Sequence, residues 1–332
     1  MLPALLLLFA ASSFDETFQN GLTALQRGDL VLARTNLETA SKLAPRDGRV
    51  WIALSQTYWR LHLNTDAKRA ADKASAFGRE DPVVLRGLAI YYSETNQTLK
   101  AAQAEATYSL KVPDKAEARE HAVELYFEAA RPLLNQQKFA EAAAILKEGA
   151  ARLPKSGQLE LALGVSCYGL RRFDDAADAF LRTIEIAPET EQAYAFLGKF
   201  LDQIPARLPD VTKRFAEYES THPMSAAGYL LHAKALDAQS LDPEKALRLL
   251  DQSIALDGGE ASAHFEKGTV LDRLQRFADA TVEFERAVKR APSEAAAHYR
   301  LARDYDRIGK HEAARSEREK HAELLRAQES IR

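Results

Sequence analysis

Apolar residues along this chain recur at three- and four-residue steps, in segments separated by short polar breaks. Within LELALGVSCYGLRRFDDAADAFLRTIEIAP they fall at Leu161, Leu163, Val165 and Tyr168, then at Phe173, Ala176, Phe180 and Ile184. That spacing is helical, because residues three and four apart share one face of a helix. The break from Gly169 to Arg172 predicts two helices rather than one. Pro188 stops the second, since proline lacks an amide donor and clashes with the preceding turn. The unit is therefore a helix hairpin. Small Gly164 and Ala176 would let its two helices approach closely, and Phe180 would fill the space against the next unit.

The hairpin is written many times. RFDDAADAFLRTIEIAPE, starting at Arg172, returns about a hundred residues later as RFADATVEFERAVKRAPS, starting at Arg276. The copies agree at Arg172/Arg276, Phe173/Phe277, Asp175/Asp279, Ala176/Ala280, Phe180/Phe284 and Pro188/Pro292. A unit of about 34 residues fits that gap three times. Prolines closing apolar segments keep the same pace at Pro45, Pro82, Pro113, Pro154, Pro188, Pro223 and Pro292, with Gly258 where one more is due. An all-α repeat array follows.

Several stretches depart from the pattern. The spacing drifts from Ser93 to Ala101 and from Lys111 to Ala122, and Pro132 falls inside a first helix, which predicts a kink there. In the unit from Glu191 to Pro223, QIPARLPD stands where a tight turn belongs, so its second helix is expected to start late, near Asp210. The ending KHEAARSEREKHAELLRAQESIR, residues 310–332, reads as a charged helix that covers the last apolar surface while facing water, as a terminal repeat must.

An aromatic, a Leu-Gly pair and a second aromatic in the first helix, followed by Ala, Phe, Ala and Pro in the second, resemble the tetratricopeptide repeat family. The matching residues include Gly21, Ala33, Leu37, Ala40 and Pro45; Trp51, Leu54, Tyr58, Ala67 and Ala74; Leu163, Gly164, Ala176, Phe180 and Pro188; Tyr194, Leu197 and Gly198; Gly268, Ala280, Phe284, Ala287 and Pro292; and Leu301, Tyr305 and Ala314. The resemblance implies a right-handed superhelical solenoid over residues 14–309, of about eight to nine helix hairpins. It also implies a concave groove lined by first helices, into which Phe18, Leu22, Ile52, Gln56, Trp59, Phe127, Arg131, Leu161, Val165, Tyr168, Phe196, Lys199, Phe265, Tyr299, Arg300 and Arg303 would point. Aromatic and arginine side chains make productive anchors for an extended peptide or a partner helix. Some members of the family hold a C-terminal carboxylate with Lys and Asn at set groove positions; Phe18, Leu22 and Ala53 stand there instead, while Arg300, Arg303 and Arg307 would suit an acidic segment. The expectation is a non-enzymatic protein-interaction scaffold without a cofactor. The alternative is a component that self-associates into a structural assembly.

Composition narrows the partners. The chain has 332 residues, 46% hydrophobic and 28% charged, enough to bury a sizeable core. A net charge of -3 leaves no surplus to neutralise many phosphates, which argues against a dedicated nucleic-acid binder. The start, MLPALLLLFAASS, carries an apolar run too short to span a bilayer. Small Ala10 and Ser12 suit signal-peptide cleavage, although no Lys or Arg precedes the run. Residues 1–13 are accordingly expected to direct export to a bacterial periplasm or the extracellular space, the alternative being a cytoplasmic protein. No other stretch is long and apolar enough to span a membrane.

Reactive chemistry is sparse. Cys167 is the only cysteine, which excludes an internal disulfide and any multi-cysteine metal site, and its apolar surroundings suit a buried side chain. The sequence has no phosphate-binding loop, GxGxxG or GxSxG. His311-Glu312 lacks the second histidine of a zinc protease motif. His264 and His298 lie one repeat apart, so stacking could bring them to a shared metal, but packing is the expected role. Asp174 and Asp175 sit where carboxylates favour the positive end of a helix. Asn96-Gln97-Thr98 spells a glycosylation sequon.

Overall fold

In the computed structural model the described residues are 2–329, with side chains described from Ser13 onward, and they contain helices and no strand. The side chains of the expected export segment, residues 1–13, therefore lie outside the described residues except for that of Ser13. Two compact units divide the chain, residues 1–170 and 171–332. The first holds α1 (Leu2–Arg27), α2 (Leu30–Leu43), α3 (Gly48–Arg60), α4 (Asn64–Phe77), α5 (Pro82–Glu94), α6 (Thr98–Lys111), α7 (Ala116–Asn135), α8 (Phe139–Arg152) and α9 (Gly157–Gly169). The second holds α10 (Phe173–Ile186), α11 (Glu191–Leu197), a 3-10 turn (Leu201–Gln203), α12 (Leu208–Thr221), α13 (Ala226–Ala238), α14 (Pro243–Leu256), α15 (Ala261–Arg273), α16 (Phe277–Arg290), α17 (Ala295–Arg307) and α18 (His311–Glu329). Within each unit most consecutive helices pack on each other, and α1 also packs on α3, α3 on α5, α7 on α9 and α13 on α15.

The turns inside the hairpins share one geometry. The chain passes through the left-handed region at Gly28, His62, Asn96, Gln137, Ser240, Gln275 and Gly309. The amide beyond each reaches back to close the preceding helix, as Leu63 N to Tyr58 O (2.9 Å), Lys138 N to Leu133 O (2.8 Å) and Arg276 N to Leu271 O (2.9 Å). Five of those seven residues are not glycine, and a side chain there costs roughly 1 kcal/mol or more. The turns between hairpins work differently. Asp47, Asp81, Ser156, Ser225, Glu260 and Glu294 accept a hydrogen bond from the first turn of the following helix, satisfying amides that have no partner inside the helix.

Position along each helix decides what is buried. The fourth residue of the second helices is Ala33, Ala67, Ala101, Ala142, Ala176, Ala246, Ala280 or Ala314, all buried, with Val211 in α12. Small residues at one level of the first helices, such as Gly21, Ser55, Ala89, Ala130 and Gly268, admit the partner helix. A Cβ on Gly268 would lie 2.7 Å from the Phe284 ring and one on Gly21 2.8 Å from Leu37. The eighth residue of the second helices is fully buried in most of them, as Leu37, Leu146, Phe180, Phe215, Leu250 and Phe284, and Leu37 and Phe284 fill the space beside Gly21 and Gly268. Each such side chain contributes about 2–3 kcal/mol by leaving water.

The departures resolve into three causes. α7 has 20 residues where α3, α5 and α9 have 13, so the drift before Ala122 is an extension of a first helix at its N-terminal end, and the helix continues through Pro132. Pro82 opens α5 rather than closing α4, which ends at Phe77 before Gly78. The second helix after QIPARL begins at Leu208, slightly earlier than expected near Asp210, because Pro209 supplies a preset first turn. The charged end forms α18, the second helix of the hairpin begun by α17. Its eighth residue is Arg318, exposed and paired with Asp306, where most interior repeats bury an apolar group.

Candidate partner-binding faces

The candidate anchors sit on first helices, and their exposure separates them. In the first unit Phe18 and Ile52 are buried, at 7% and 4%. Phe18 stacks on Phe14 at 5.7 Å. Ile52 is pressed against Gly87 of the next first helix, where a Cβ would come 2.5 Å from Cγ1 of Ile52. Both therefore seal packing instead of facing a groove. Gln56 and Trp59, one and two turns further along α3, are half-buried, and the Trp59 ring meets Tyr91 edge-on at 6.3 Å. Phe127, Leu161, Val165 and Tyr168 are half-buried too, and Arg131 is exposed. Ile90, at the level on α5 that Gln56 holds on α3, is 42% exposed, and Val83 one face-repeat earlier is 63% exposed. Sequence reasoning missed this apolar pair, which counting from the helix starts would have found.

In the second unit the faces carry charge. Phe196 stacks on Phe180 at 5.2 Å with Lys199 Nζ 4.7 Å over its ring, and Phe265 tilts against Phe284 at 5.8 Å. Tyr299 is exposed and lies beside His321. Arg300, Arg303 and Arg307 converge on Asp272 of the neighbouring first helix: Arg300 Nη1 is 3.5 Å away, and Arg303 and Arg307 donate directly. The basic group expected to meet an acidic segment thus already meets an internal carboxylate. Asp304, fully buried beneath it, accepts from Arg307 at 3.0 Å. Burial, then the neighbouring Asp272 charge, pushes the Asp304 carboxyl up to about 6.

An arginine staple recurs between hairpins. Arg60 Nη1 donates to Leu25 O (3.1 Å) and Arg273 Nη1 to Asp237 O (2.7 Å), each reaching the last turns of the preceding first helix, while Arg307 reaches Asp272 at that level. Another recurring bond fixes the turn before each first helix: Trp51 Nε1 donates to Pro45 O (2.9 Å), Tyr229 OH to Pro223 O (3.3 Å), and His298 Nε2 pairs with Pro292 O (2.9 Å). His264 holds this level in α15, where Gly258 replaces the proline. There the Gly258 carbonyl accepts from Arg290 Nε at 2.5 Å, leaving His264 Nε2 buried without a partner among the described residues. The histidines bind carboxylates of their own hairpins: His264 Nδ1 with Glu283 (2.7 Å) and His298 Nδ1 with Glu317 (2.5 Å). Burial opposes ionisation of Glu283, yet His264 and Lys267 together hold its carboxyl below the usual range. Among the described residues no group of three or more His, Cys, Asp or Glu is placed to hold a metal, and no helix is long and apolar enough to cross a membrane.

Residues 127–190 and 273–322 match the tetratricopeptide repeat family model, and they fall on hairpins with the packing just described. These two stretches are tetratricopeptide repeats. No curated protein matches the chain. Solved tetratricopeptide-repeat and related structures do. MamA (residues 41 to the end) from Desulfovibrio magneticus RS-1 is 20% identical over 52% of this chain and 96% of its own, at a TM-score of 0.43. The thermophilic protein TTC0263 of Thermus thermophilus is 22% identical over 51% and 91%, at 0.44. Yeast Tom70 is 15% identical over 95% and 92%, at 0.39.

One hairpin breaks the packing rule. The eighth residue of α6, where most sister repeats bury Leu or Phe and α4 buries Ala71, is Glu105, fully buried. Its Oε1 pairs with Arg86 Nη1 of α5 and lies 3.4 Å from His121 Nδ1 of α7, while Oε2 has no partner among the described residues. Sequence reasoning passed over it, and aligning the second helices by their first residues is the signal that exposes it.

Proposed function

We propose that this chain is a non-enzymatic protein-interaction scaffold that takes an extended or helical segment of a partner protein on the first-helix faces of its repeats. The observation carrying this is the half-exposed apolar series Trp59, Ile90, Phe127, Leu161 and Val165 in the first unit, left partly open on helices that each bury another face in the core. Tetratricopeptide repeats are built for such contacts, each hairpin adding one more rigid face. Photo-crosslinking tests the reading: a photoreactive residue at Gln56, Ile90 or Val165 should trap a partner, while one at Arg34, on a second helix, should not. Stronger trapping at Arg34 would overturn it.

The export expected from MLPALLLLFAASS belongs to this proposal, with a bacterial envelope assembly as the setting. Mass measurement of the chain recovered from fractionated cells tests it, an uncleaved Met1 form in the cytosol being the contrary result. Self-association is the second reading, favoured by exposed Leu43, Phe77 and Leu110 at the last turns of α2, α4 and α6. Light scattering giving a concentration-independent monomer would remove it.

A further inference from the structure

Away from the first-helix anchors, a cleft of about 340 Å³ opens in the first unit between α4, α5 and α6. Its deep wall is apolar, with Leu85 and Leu88 buried and Tyr92 half-buried, and exposed Arg79, Lys100 and Arg152 stand around it. None of its lining residues is acidic. Arg152 is paired with Glu148 (3.0 Å), which also accepts from Gln103, and Asp72 lies within electrostatic reach of Tyr92. Lys100 holds only the Gln97 side-chain oxygen (2.9 Å) and faces the Tyr92 ring. Arg79 has no ion-pair partner among the described residues. Glu80, next to Arg79 in sequence, is paired with Lys111, so Arg79, Lys100 and Arg152 set against Glu148 and Asp72 leave one positive charge over, although the whole chain carries -3.

The repeat supplies its own reference. A cleft of about 390 Å³ lies at the corresponding place in the second unit, between α14, α15 and α16. There the third residue of the second helix is Asp279 where α6 has Lys100, the seventh is Glu283 where α6 has Ala104, and the seventh of the first helix is Lys267 where α5 has Leu88. Its four lining cations, Arg248, Lys267, Arg276 and Arg286, are matched in number by Glu244, Asp251, Asp279 and Glu283, and three of them are paired: Lys267 with Asp251 (2.7 Å) and Glu283 (3.2 Å), Arg286 with Glu283 (2.9 Å) and Arg276 with Asp279 (2.9 Å). One fold position thus occurs once with built-in counter-charges and once with an apolar wall and uncompensated cations. We infer that the first-unit cleft is a binding site for a carboxylate or similar single anion carried on an apolar body. Leu85, Leu88 and Tyr92 would receive the body, and Arg79 and Lys100 the charge. Such an anion gains from both burial of its apolar surface and charge-assisted hydrogen bonds.

Isothermal titration of the full chain tests this with three probes: 2-naphthoate, its neutral analogue 2-naphthylmethanol, and the blocked dipeptide acetyl-Asp-Phe-amide. Saturable binding of the acid or the dipeptide is expected, weakening with salt, with the alcohol at least about tenfold weaker. The tighter of the two anions identifies a free organic acid or a peptide segment as the source. Arg79→Glu with Lys100→Glu should weaken the anion at least about tenfold, and Arg79→Gln with Lys100→Gln should also weaken it, at an unchanged helical melt. Arg248→Glu in the second-unit cleft should change nothing. Equal binding of alcohol and acid, undiminished affinity in both double variants, or no saturable binding of either anion overturns the assignment.

Discussion

Replacing Glu105 with leucine should stabilise the protein. The Glu105 carboxylate is fully buried at a level where Leu37, Leu146 and Leu250 are buried in sister repeats, and a leucine there suits the same space. Taking a carboxylate out of water costs several kcal/mol. Against this, its one strong pair, with Arg86, returns about 1.5–3 kcal/mol at best. Arg86 is 44% exposed on its side chain, so screening lowers that return. Oε2 has no partner among the described residues and so adds nothing to that return. Burying a leucine side chain instead contributes about 2 kcal/mol, so Glu105→Leu should gain roughly 1–3 kcal/mol, with Arg86 free to turn into water. The reciprocal change behaves oppositely. Arg86→Ala leaves the carboxylate buried with only His121 beside it, and should cost toward the lower end of about 3–5 kcal/mol. Urea unfolding of both variants, compared by midpoint at constant slope, reads the pair of signs. A loss of about 1 kcal/mol or more in Glu105→Leu, with Arg86→Ala neutral, would refute the reasoning.

Other predictions follow from the same geometry. Gln137→Gly and Gln275→Gly, at exposed left-handed turn positions (φ 57° and 60°), should each raise stability by up to about 1 kcal/mol in urea melts, since the side chain that resists this conformation is removed. Gly48→Ala would bring its Cβ to 2.8 Å from the backbone of Gly78, which cannot yield as a side chain can, so a loss of about 1–3 kcal/mol is expected. The Asp304 carboxyl, pushed up to about 6 by burial and the Asp272 charge, prefers its proton in the folded state. Its contribution is therefore complete below about pH 4 and lost as pH rises through about 6, worth roughly 2–3 kcal/mol. Asp304→Asn should remove that fall from the pH profile of unfolding, and parallel profiles for the two proteins would contradict it.

The scaffold was legible because packing in a repeat is a property of spacing. Ala176, Phe180 and Pro188 recur as Ala280, Phe284 and Pro292, and local sequence alone tells which helix face is buried and where the helix stops. The seven-residue extension of α7 was visible only as drift, since lengthening a helix by about two turns preserves its apolar face. Phe18 and Ile52 were placed in the groove by position, yet their exposure depends on the neighbouring residue on the next hairpin. Gly87 lets Ile52 close the gap, a contact outside the reach of local periodicity. Charge was the least legible. Arg300, Arg303 and Arg307 read as a free basic group because their acceptor, Asp272, lies a full repeat away and enters only when hairpins stack. The same stacking determines the reverse case. Lys100 and Arg79 look unremarkable in sequence, and become a candidate site only beside the second-unit cleft, where Asp279 and Glu283 occupy positions that the first unit gives to Lys100 and Ala104. In a repeat protein, then, the informative comparison for a charged residue is the residue at its own level in the other copies, because the shared backbone holds geometry constant and leaves the change of charge as the variable.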